Sequence, residues 1–167
     1  MVKVFASKKG DVVIDWLVVI AALLVTAILF IVAWQVMGKI NTAFQDNPHM
    51  LNESKEQTSQ FYTKMNGWMD FIFAFLLFGC WIASMIFAYF IDSHPVFFVL
   101  SLLMLVFVII FGAVASNTFE AFTDTTAFST AENAFPIMLF IMNHLVETVV
   151  VIIFSVAIVL YGKYSRG

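Results

Sequence analysis

Residues 69–115 decide the fold, and they read MDFIFAFLLFGCWIASMIFAYFIDSHPVFFVLSLLMLVFVIIFGAVA. Two apolar runs, 69–91 and 95–115, are separated here only by Asp92, Ser93 and His94. A helix needs about 20 apolar residues to cross the hydrocarbon core of a bilayer, and both runs reach that length. Because Pro95 suits the first turn of a new helix, the short linker predicts a tight antiparallel helical hairpin.

The composition of the whole chain indicates that lipid surrounds this hairpin. Of 167 residues, 62% are hydrophobic and only 11% are charged, whereas an average soluble domain has about 25% charged residues. A soluble core of this size cannot bury so much apolar surface. The single cysteine, Cys80, excludes an intrachain disulfide. The sequence therefore predicts an integral membrane protein.

Two further apolar runs complete the predicted architecture. They cover residues 16–37 and about 142–161, and each is long enough to span a bilayer. We therefore predict an all-α fold with four transmembrane helices in one membrane domain and both termini on the same side. Two polar segments, 39–67 and 117–135, connect the spans.

Tryptophans mark the predicted membrane boundaries. Trp16 and Trp34 are 18 positions apart, which is about 27 Å of helix. That spacing matches two interfacial aromatic belts. Trp68 stands at the start of the second span, next to Asp70 in its first turn. The three indoles are predicted to act as membrane-belt anchors.

The positive-inside rule gives the predicted orientation. Five basic residues lie on the side of the termini and three, Lys39, Lys55 and Lys64, on the opposite side. The excess places both termini on the cytoplasmic or equivalent inner face. The same five side chains are candidates for contacts with lipid phosphates: Lys3, Lys8, Lys9, Lys163 and Arg166.

The polar segments are predicted to be partly ordered. In 39–67, the sequence NESKEQTSQFYTKM is typical of a short helix that starts at Asn52, with Phe61 and Met65 on one face. In 117–135, spaced phenylalanines favour an ordered cap on the membrane surface with its rings directed inward. A mobile loop is the alternative for that segment.

The fourth span contains the polar sequence MNHLVET, residues 142–148. On a continuous helix Asn143, His144 and Glu147 share one face. A span of about 20 residues that ends at Tyr161 puts Glu147 roughly 7 Å below the surface. We therefore interpret the three residues as a polar rim or as partners in hydrogen bonds between helices, with an interfacial stretch at 136–146. A proton or ion site is the alternative.

Small residues at four-residue spacing predict close helix packing. The packing is expected between spans or between copies of the protein. Three such pairs occur in the second and third spans: Gly79 and Ala83, Ser84 and Ala88, and Gly112 and Ser116.

Sequence signatures of enzymes are missing. The chain has no glycine-rich phosphate loop, no cysteine and histidine cluster for zinc, and no credible arrangement of Ser, His and Asp. We therefore predict a non-enzymatic protein without a metal or cofactor. No basic tract long enough for sequence-specific nucleic-acid binding is present.

Two resemblances bear on function. Residues 7–25, SKKGDVVIDWLVVIAALLV, resemble a type IV pilin-like class III signal. That resemblance implies cleavage after Gly10 and helix packing into a filament. The alternative, which the rest of the chain favours, is a basic membrane flank followed by Asp15 at the positive end of the helix dipole.

The whole chain resembles the small integral membrane proteins of tailless, membrane-containing viruses such as corticoviruses and tectiviruses. The features that carry this likeness are the basic N-terminal anchor, the hairpin, the loop rich in Thr, Ala and Phe, and the ending YGKYSRG. It implies a structural protein of an internal virion membrane, in contact with lipid, with other copies of itself and with capsid proteins.

Two other functions remain open at this point. One is a small ion-conducting or holin-like pore in a host cytoplasmic membrane, in which Asp70, His144 and Glu147 face a common aqueous path. The other is an accessory subunit of a larger membrane complex.

Overall fold

The computed structural model describes residues 12–90, 95–125, 128 and 130–164. These residues form helices and connecting turns, and the described part of the chain contains no strand. The prediction of an all-α fold is therefore confirmed. The linker 92–94 of the predicted hairpin lies outside the described residues. The six helical segments are α1 Val12–Asp46, α2 Asn52–Phe90, α3 Pro95–Thr123, α4 Ala131–Ala134, α5 Pro136–Asn143 and α6 Leu145–Tyr164.

Three of the described helices, α1, α2 and α3, are long and apolar enough to cross a membrane. A fourth candidate crossing lies in α5 and α6, which meet the same criteria when taken as a pair and are bent by 75° at His144. The described part of the chain is thus all-helical, with three or four candidate membrane spans.

Helices α1 and α2 are much longer than a bilayer is thick. Their 35 and 39 residues correspond to about 52 Å and 58 Å, compared with a hydrocarbon core of about 30 Å. The predicted polar segment 39–67 is therefore mostly helical, and only residues 47–51 connect the two helices. The apolar run of the first span ends at Met37, but α1 continues to Asp46. The helix predicted to start at Asn52 does start there, but it is not short and continues into the second span as α2.

The polar ends of α1 and α2 are joined as a helical hairpin. The Gln45 side chain donates to the Lys55 carbonyl at 2.8 Å, and Lys55 Nζ donates to the Gln45 carbonyl at 2.7 Å. Further down, the Trp34 and Tyr62 rings stack with centroids 5.8 Å apart. We call the hairpin of residues 38–67 the stalk.

The segment predicted as a surface cap, 117–135, begins as a continuation of α3. The helix runs on to Thr123, and its Phe119 side chain is fully buried. The Phe122 and Phe128 rings stack at 4.3 Å. Phe135, at the end of the segment, is also fully buried. These four aromatic rings join the segment to the core.

The core is a narrow stripe between helices. On α1 the buried residues recur every three or four positions, which is one face of a helix. They meet buried residues of α2, α3, α5 and α6, such as Phe73 and Met138. The α1 stripe consists of Trp16, Ile20, Leu23, Ala27 and Ile31.

The outer surface of the bundle is apolar. Large side chains such as Phe75 on α2, Val114 on α3 and Ile158 on α6 are 57–69% exposed. A soluble protein rarely exposes apolar patches of that size. A bundle with such a surface fits the hydrocarbon layer of a membrane.

Candidate functional site

A buried carboxylate holds the start of α5. Asp70 of α2 is only 4% exposed. Its Oδ1 accepts the Met138 backbone N–H at 2.6 Å, and its Oδ2 accepts the Ile137 N–H at 3.0 Å. Both oxygens of the side chain are therefore occupied by the first turn of another helix.

The local sequence explains why α5 needs this distant partner. The residue before the helix is Phe135, whose side chain makes no capping hydrogen bond. Pro136 follows and has no N–H, so Ile137 and Met138 carry the first free donors. Asp70 satisfies these donors, and its negative charge lies at the positive end of the helix dipole. Asp70 therefore acts as an N-cap supplied from α2.

The other end of α5 is fixed by α3. Ser116 Oγ donates to the Met142 carbonyl at 2.8 Å, so a side chain of α3 satisfies an acceptor in the last turn. One turn away, Gly112 faces α6: a Cβ at Gly112 would lie 3.7 Å from Val146 Cγ2. The predicted pair Gly112 and Ser116 thus packs α3 against the junction of α5 and α6.

His144 is the break between α5 and α6. Its backbone N–H donates to the Phe140 carbonyl at 3.1 Å, and the Nδ1 atom of its ring lies 3.0 Å from the same oxygen. The ring also stacks on Phe140 with centroids 4.6 Å apart. The next helix starts from the His144 carbonyl, which accepts the Thr148 N–H at 2.9 Å.

This break removes the shared helical face on which the alternative proton or ion site depended. Asn143 ends α5, His144 is the turn and Glu147 lies in the first turn of α6. The shared face that we predicted requires a continuous helix, whereas the two helices here meet at 75°. All three side chains are exposed. They lie at the outside of the break and not on one helical face.

The three groups named for the alternative pore lie at different places in the chain. Asp70 binds the N-terminus of α5, whereas His144 and Glu147 lie beyond its C-terminus. The eight residues of α5 separate them by about 12 Å of helix. Asp70 is buried within the chain, whereas the other two side chains are exposed.

The three tryptophans have different environments. Trp16 is 2% exposed, so its predicted role as a lipid-facing anchor is corrected to a role in the core. Trp34 is half-buried between Tyr62 and Phe135, which it meets edge-on at 5.7 Å. Trp68 is 63% exposed, as a ring at a membrane boundary requires.

The small residues of α2 make fewer contacts than those of α3. No atom lies within 4 Å of a Cβ placed at Gly79, which is exposed. Ala83 and Ser84 are half-buried, and Ser84 Oγ donates to the Cys80 carbonyl of its own helix. Ala88 is buried. Gly79 is thus open to lipid or to a second copy, while Ala88 packs within the chain.

One further polar contact joins α2 to α6. Trp81 Nε1 donates to Ser155 Oγ at 2.8 Å, and this hydroxyl donates to the Ile152 carbonyl at 2.6 Å. Sequence reasoning missed this pair, and it also missed the partner of Asp70. The available signal for Asp70 was an acidic residue inside an apolar run together with a helix start, Phe135-Pro136, that has no capping side chain.

The described side chains include no group of three or more His, Cys, Asp or Glu residues that would hold a metal ion. Of the predicted lipid-phosphate contacts, Lys3, Lys8, Lys9 and Arg166 lie outside the described residues, as does the side chain of Lys163. Comparisons with protein-family models, with curated proteins and with solved structures found no match to this chain.

Proposed function

We propose that the protein is a membrane-embedded scaffold that connects a bilayer to proteins outside it. The observation that carries this proposal is the stalk. Helices of about 52 Å and 58 Å leave a polar extension beyond a hydrocarbon layer of about 30 Å. The paired Gln45 and Lys55 contacts join its two helices near the tip.

The stalk offers a surface suited to a protein partner. Its tip and the adjacent turn of α2 are exposed, including His49, Glu53 and Glu56. The stalk is joined to the bundle by the stack of Trp34 on Tyr62. A stiff, polar helical hairpin can transmit a contact at its tip to the membrane-embedded helices.

The topology that fits this role has four crossings. The 20 residues of α6 extend about 30 Å, which equals the hydrocarbon thickness. We infer that α6 crosses the bilayer and that α5, bent by 75° from it, lies close to the membrane plane. Both termini are then on one side and the stalk is on the other.

The assembly that we propose is a virion with an internal membrane, in which the stalk contacts the capsid. The support for this choice is the resemblance of the whole chain to integral membrane proteins of tailless viruses. The apolar outer surface provides the lipid contacts that such a protein needs.

Site-directed labelling tests the membrane placement. In a Cys80→Ser background, a water-soluble maleimide should label His49→Cys at the tip of the stalk. It should not label Ile82→Cys, a residue of α2 that is 53% exposed but that we place in lipid. Equal labelling of the two positions in intact membranes would contradict the proposal.

Cross-linking tests the scaffold function. A benzophenone maleimide attached to His49→Cys in the intact assembly should yield an adduct with a different protein, which mass spectrometry identifies. The same reagent at Ile82→Cys should yield adducts with lipid or with other copies of the chain. If the stalk gives no adduct with another protein, the scaffold function is wrong.

A flux assay separates the scaffold from a pore. Liposomes that contain the purified protein should show no conductance that depends on pH. Conductance that is lost on Glu147→Gln would favour a pore and contradict the scaffold.

A further inference from the structure

A groove runs along the stalk where it leaves the bundle. It lies between the polar end of α1 and Tyr62 of α2, with Thr130 at one side, and has a volume of about 530 Å³. The residues that line it are Trp34, Gln35, Gly38, Lys39, Thr42, Ala43, Asp46, Tyr62 and Thr130.

The groove begins at the level of the lipid headgroups. The apolar run of α1 ends at position 37, and the aromatic pair Trp34 and Tyr62 forms the lower end of the groove. Aromatic rings of this kind are typical of the membrane interface. Lys39 lies five positions above Trp34, about 7.5 Å along the helix, which is close to the thickness of one headgroup layer.

The groove contains one positive and one negative side chain, at different distances from the membrane. Lys39 and Asp46 are seven positions apart, so they lie on one face of α1. Both side chains are exposed, and neither forms an ion pair within the described part of the chain. The cation is nearer the membrane and the carboxylate is farther out. A zwitterionic phospholipid carries its charges in the complementary order, with the phosphate below the ammonium group.

The Thr42 hydroxyl, between these charges, suits the ammonium end of a headgroup, because an ammonium N–H donates and a hydroxyl lone pair accepts. Thr42 Oγ1 donates to the Gly38 carbonyl at 3.1 Å. The lone pairs of the Thr42 hydroxyl oxygen can therefore accept a hydrogen bond from a donor in the groove. The Tyr62 hydroxyl lies directly over Gly38, since a Cβ there would be 3.1 Å from that oxygen. Gly38 therefore lets the Tyr62 ring form the floor of the groove.

We propose that this groove binds the headgroup of a zwitterionic phospholipid. Lys39 binds the phosphate, Asp46 attracts the ammonium group, and the glycerol end lies on Trp34 and Tyr62. The inference requires only that the chain is embedded in a membrane, and it extends the scaffold proposal by giving the stalk a lipid partner at its base.

Native mass spectrometry of the full chain in mild detergent tests the proposal. The protein is mixed with equal amounts of phosphatidylethanolamine, phosphatidylcholine and phosphatidylglycerol whose acyl chains differ slightly in mass. We expect one tightly retained lipid, with both zwitterionic lipids retained in preference to phosphatidylglycerol. Equal retention of the three lipids, or tighter retention of phosphatidylglycerol, would overturn the proposal.

Charge variants locate the site. Lys39→Gln should weaken retention of phosphatidylethanolamine about tenfold because a charge-assisted contact with the phosphate is lost. Asp46→Asn should reduce the preference for phosphatidylethanolamine over phosphatidylglycerol. Lys39 and Asp46 are both exposed, so both variants should fold. Circular dichroism verifies that they do.

Matched controls use exposed charges of the stalk outside the groove. Lys64→Gln and Glu53→Gln should leave the retained lipid unchanged. The groove is the wrong site if Lys39→Gln binds like the unaltered protein, or if Lys64→Gln loses as much lipid. Because cross-linking at His49→Cys does not depend on a bound lipid, failure of this proposal is distinguishable from failure of the scaffold proposal.

Discussion

The Asp70 carboxylate accepts a hydrogen bond of 2.6 Å from the backbone N–H of Met138, 68 positions further along the chain. A second bond, from Ile137, completes the cap. Ser116 satisfies a carbonyl at the far end of the same helix. Two polar side chains from α2 and α3 thus hold α5 in place, and α5 ends where the chain bends by 75° into α6.

Asp70→Asn should destabilise the bundle. An asparagine offers one acceptor oxygen in place of two, so one buried N–H of α5 is left without its partner. We expect a loss of about 1–3 kcal/mol in the free energy of unfolding, measured by titration with SDS in mixed micelles. The exposed Asp124→Asn is the matched control and should unfold like the parent protein.

Hydrogen exchange shows whether the effect of Asp70→Asn is local to α5. The amides of Ile137 and Met138 should exchange faster in this variant, while amides in the middle of α1 should keep their protection. Unchanged protection at both positions would show that the carboxylate does not cap the helix.

Ser116→Ala removes the contact with the Met142 carbonyl and should cost about 1 kcal/mol. Ser84→Ala is the control because the Ser84 hydroxyl donates only to its own helix, at Cys80. If Ser116 and Asp70 hold one helix at its two ends, the double variant should lose less than the sum of the two single losses. Strict additivity would show that α5 does not respond as a unit.

The membrane helices could be predicted from the sequence because the length of an apolar run is a local property of the chain. The apolar runs 16–37 and 69–91 are each long enough to demand a membrane, and residues 16–37 and 69–90 lie inside helices that the structure describes. The ends of the helices could not be read from the same runs. Beyond Met37 and before Met69 the chain is polar, and helix pairing in the stalk, not apolar length, keeps it helical.

The contacts around α5 were beyond sequence reasoning because they are not local. Asp70 was placed only in the first turn of the second span, since nothing near it in the chain indicates Met138 as its partner. The single helical face expected for Asn143, His144 and Glu147 was wrong for a related reason. The expectation assumed an unbroken helix, and no proline or glycine marks the break at His144.

Gly112 and Gly79 should respond differently to a large side chain. Gly112 is buried against Val146, so Gly112→Leu should overpack the junction of α3 and α6 and cost about 1–3 kcal/mol. No atom lies within 4 Å of a Cβ at Gly79, so Gly79→Leu should not destabilise the single chain and should contribute about 0.5–1 kcal/mol through helix propensity. Similar losses in the two variants would contradict this difference in packing.

The same pair of variants tests contact between copies. If Gly79 packs against a second copy of the chain, Gly79→Leu should reduce the oligomer measured by cross-linking in membranes without lowering the stability of the monomer. If Gly79 faces lipid, the distribution of oligomers should not change.

Gly67→Ala should stabilise the stalk, whereas Gly38→Ala should not. Gly67 lies inside α2 with no atom within 4 Å of an added Cβ, so alanine there should contribute about 0.5–1 kcal/mol through its helix propensity. At Gly38 the same methyl group would meet the Tyr62 ring at 3.1–3.3 Å. Thermal unfolding should show a gain only for Gly67→Ala, and an equal gain for Gly38→Ala would mean that the contact with Tyr62 is loose.

Trp81→Phe should weaken the attachment of α6 to α2. Phenylalanine fills much of the same space but cannot donate to Ser155 Oγ, which lies 2.8 Å from Trp81 Nε1. Hydrogen bonds between membrane helices contribute about 0.6 kcal/mol on average, so the expected loss in SDS unfolding is of that order plus a small packing term. Trp68→Phe is the matched control, since the exposed Trp68 ring lies outside the core.

A second variant, Ser155→Ala, should lose a similar amount of stability, and its combination with Trp81→Phe should add little further loss. Additive losses in the double variant would show that the indole and the hydroxyl stabilise the bundle separately and are not paired across α2 and α6.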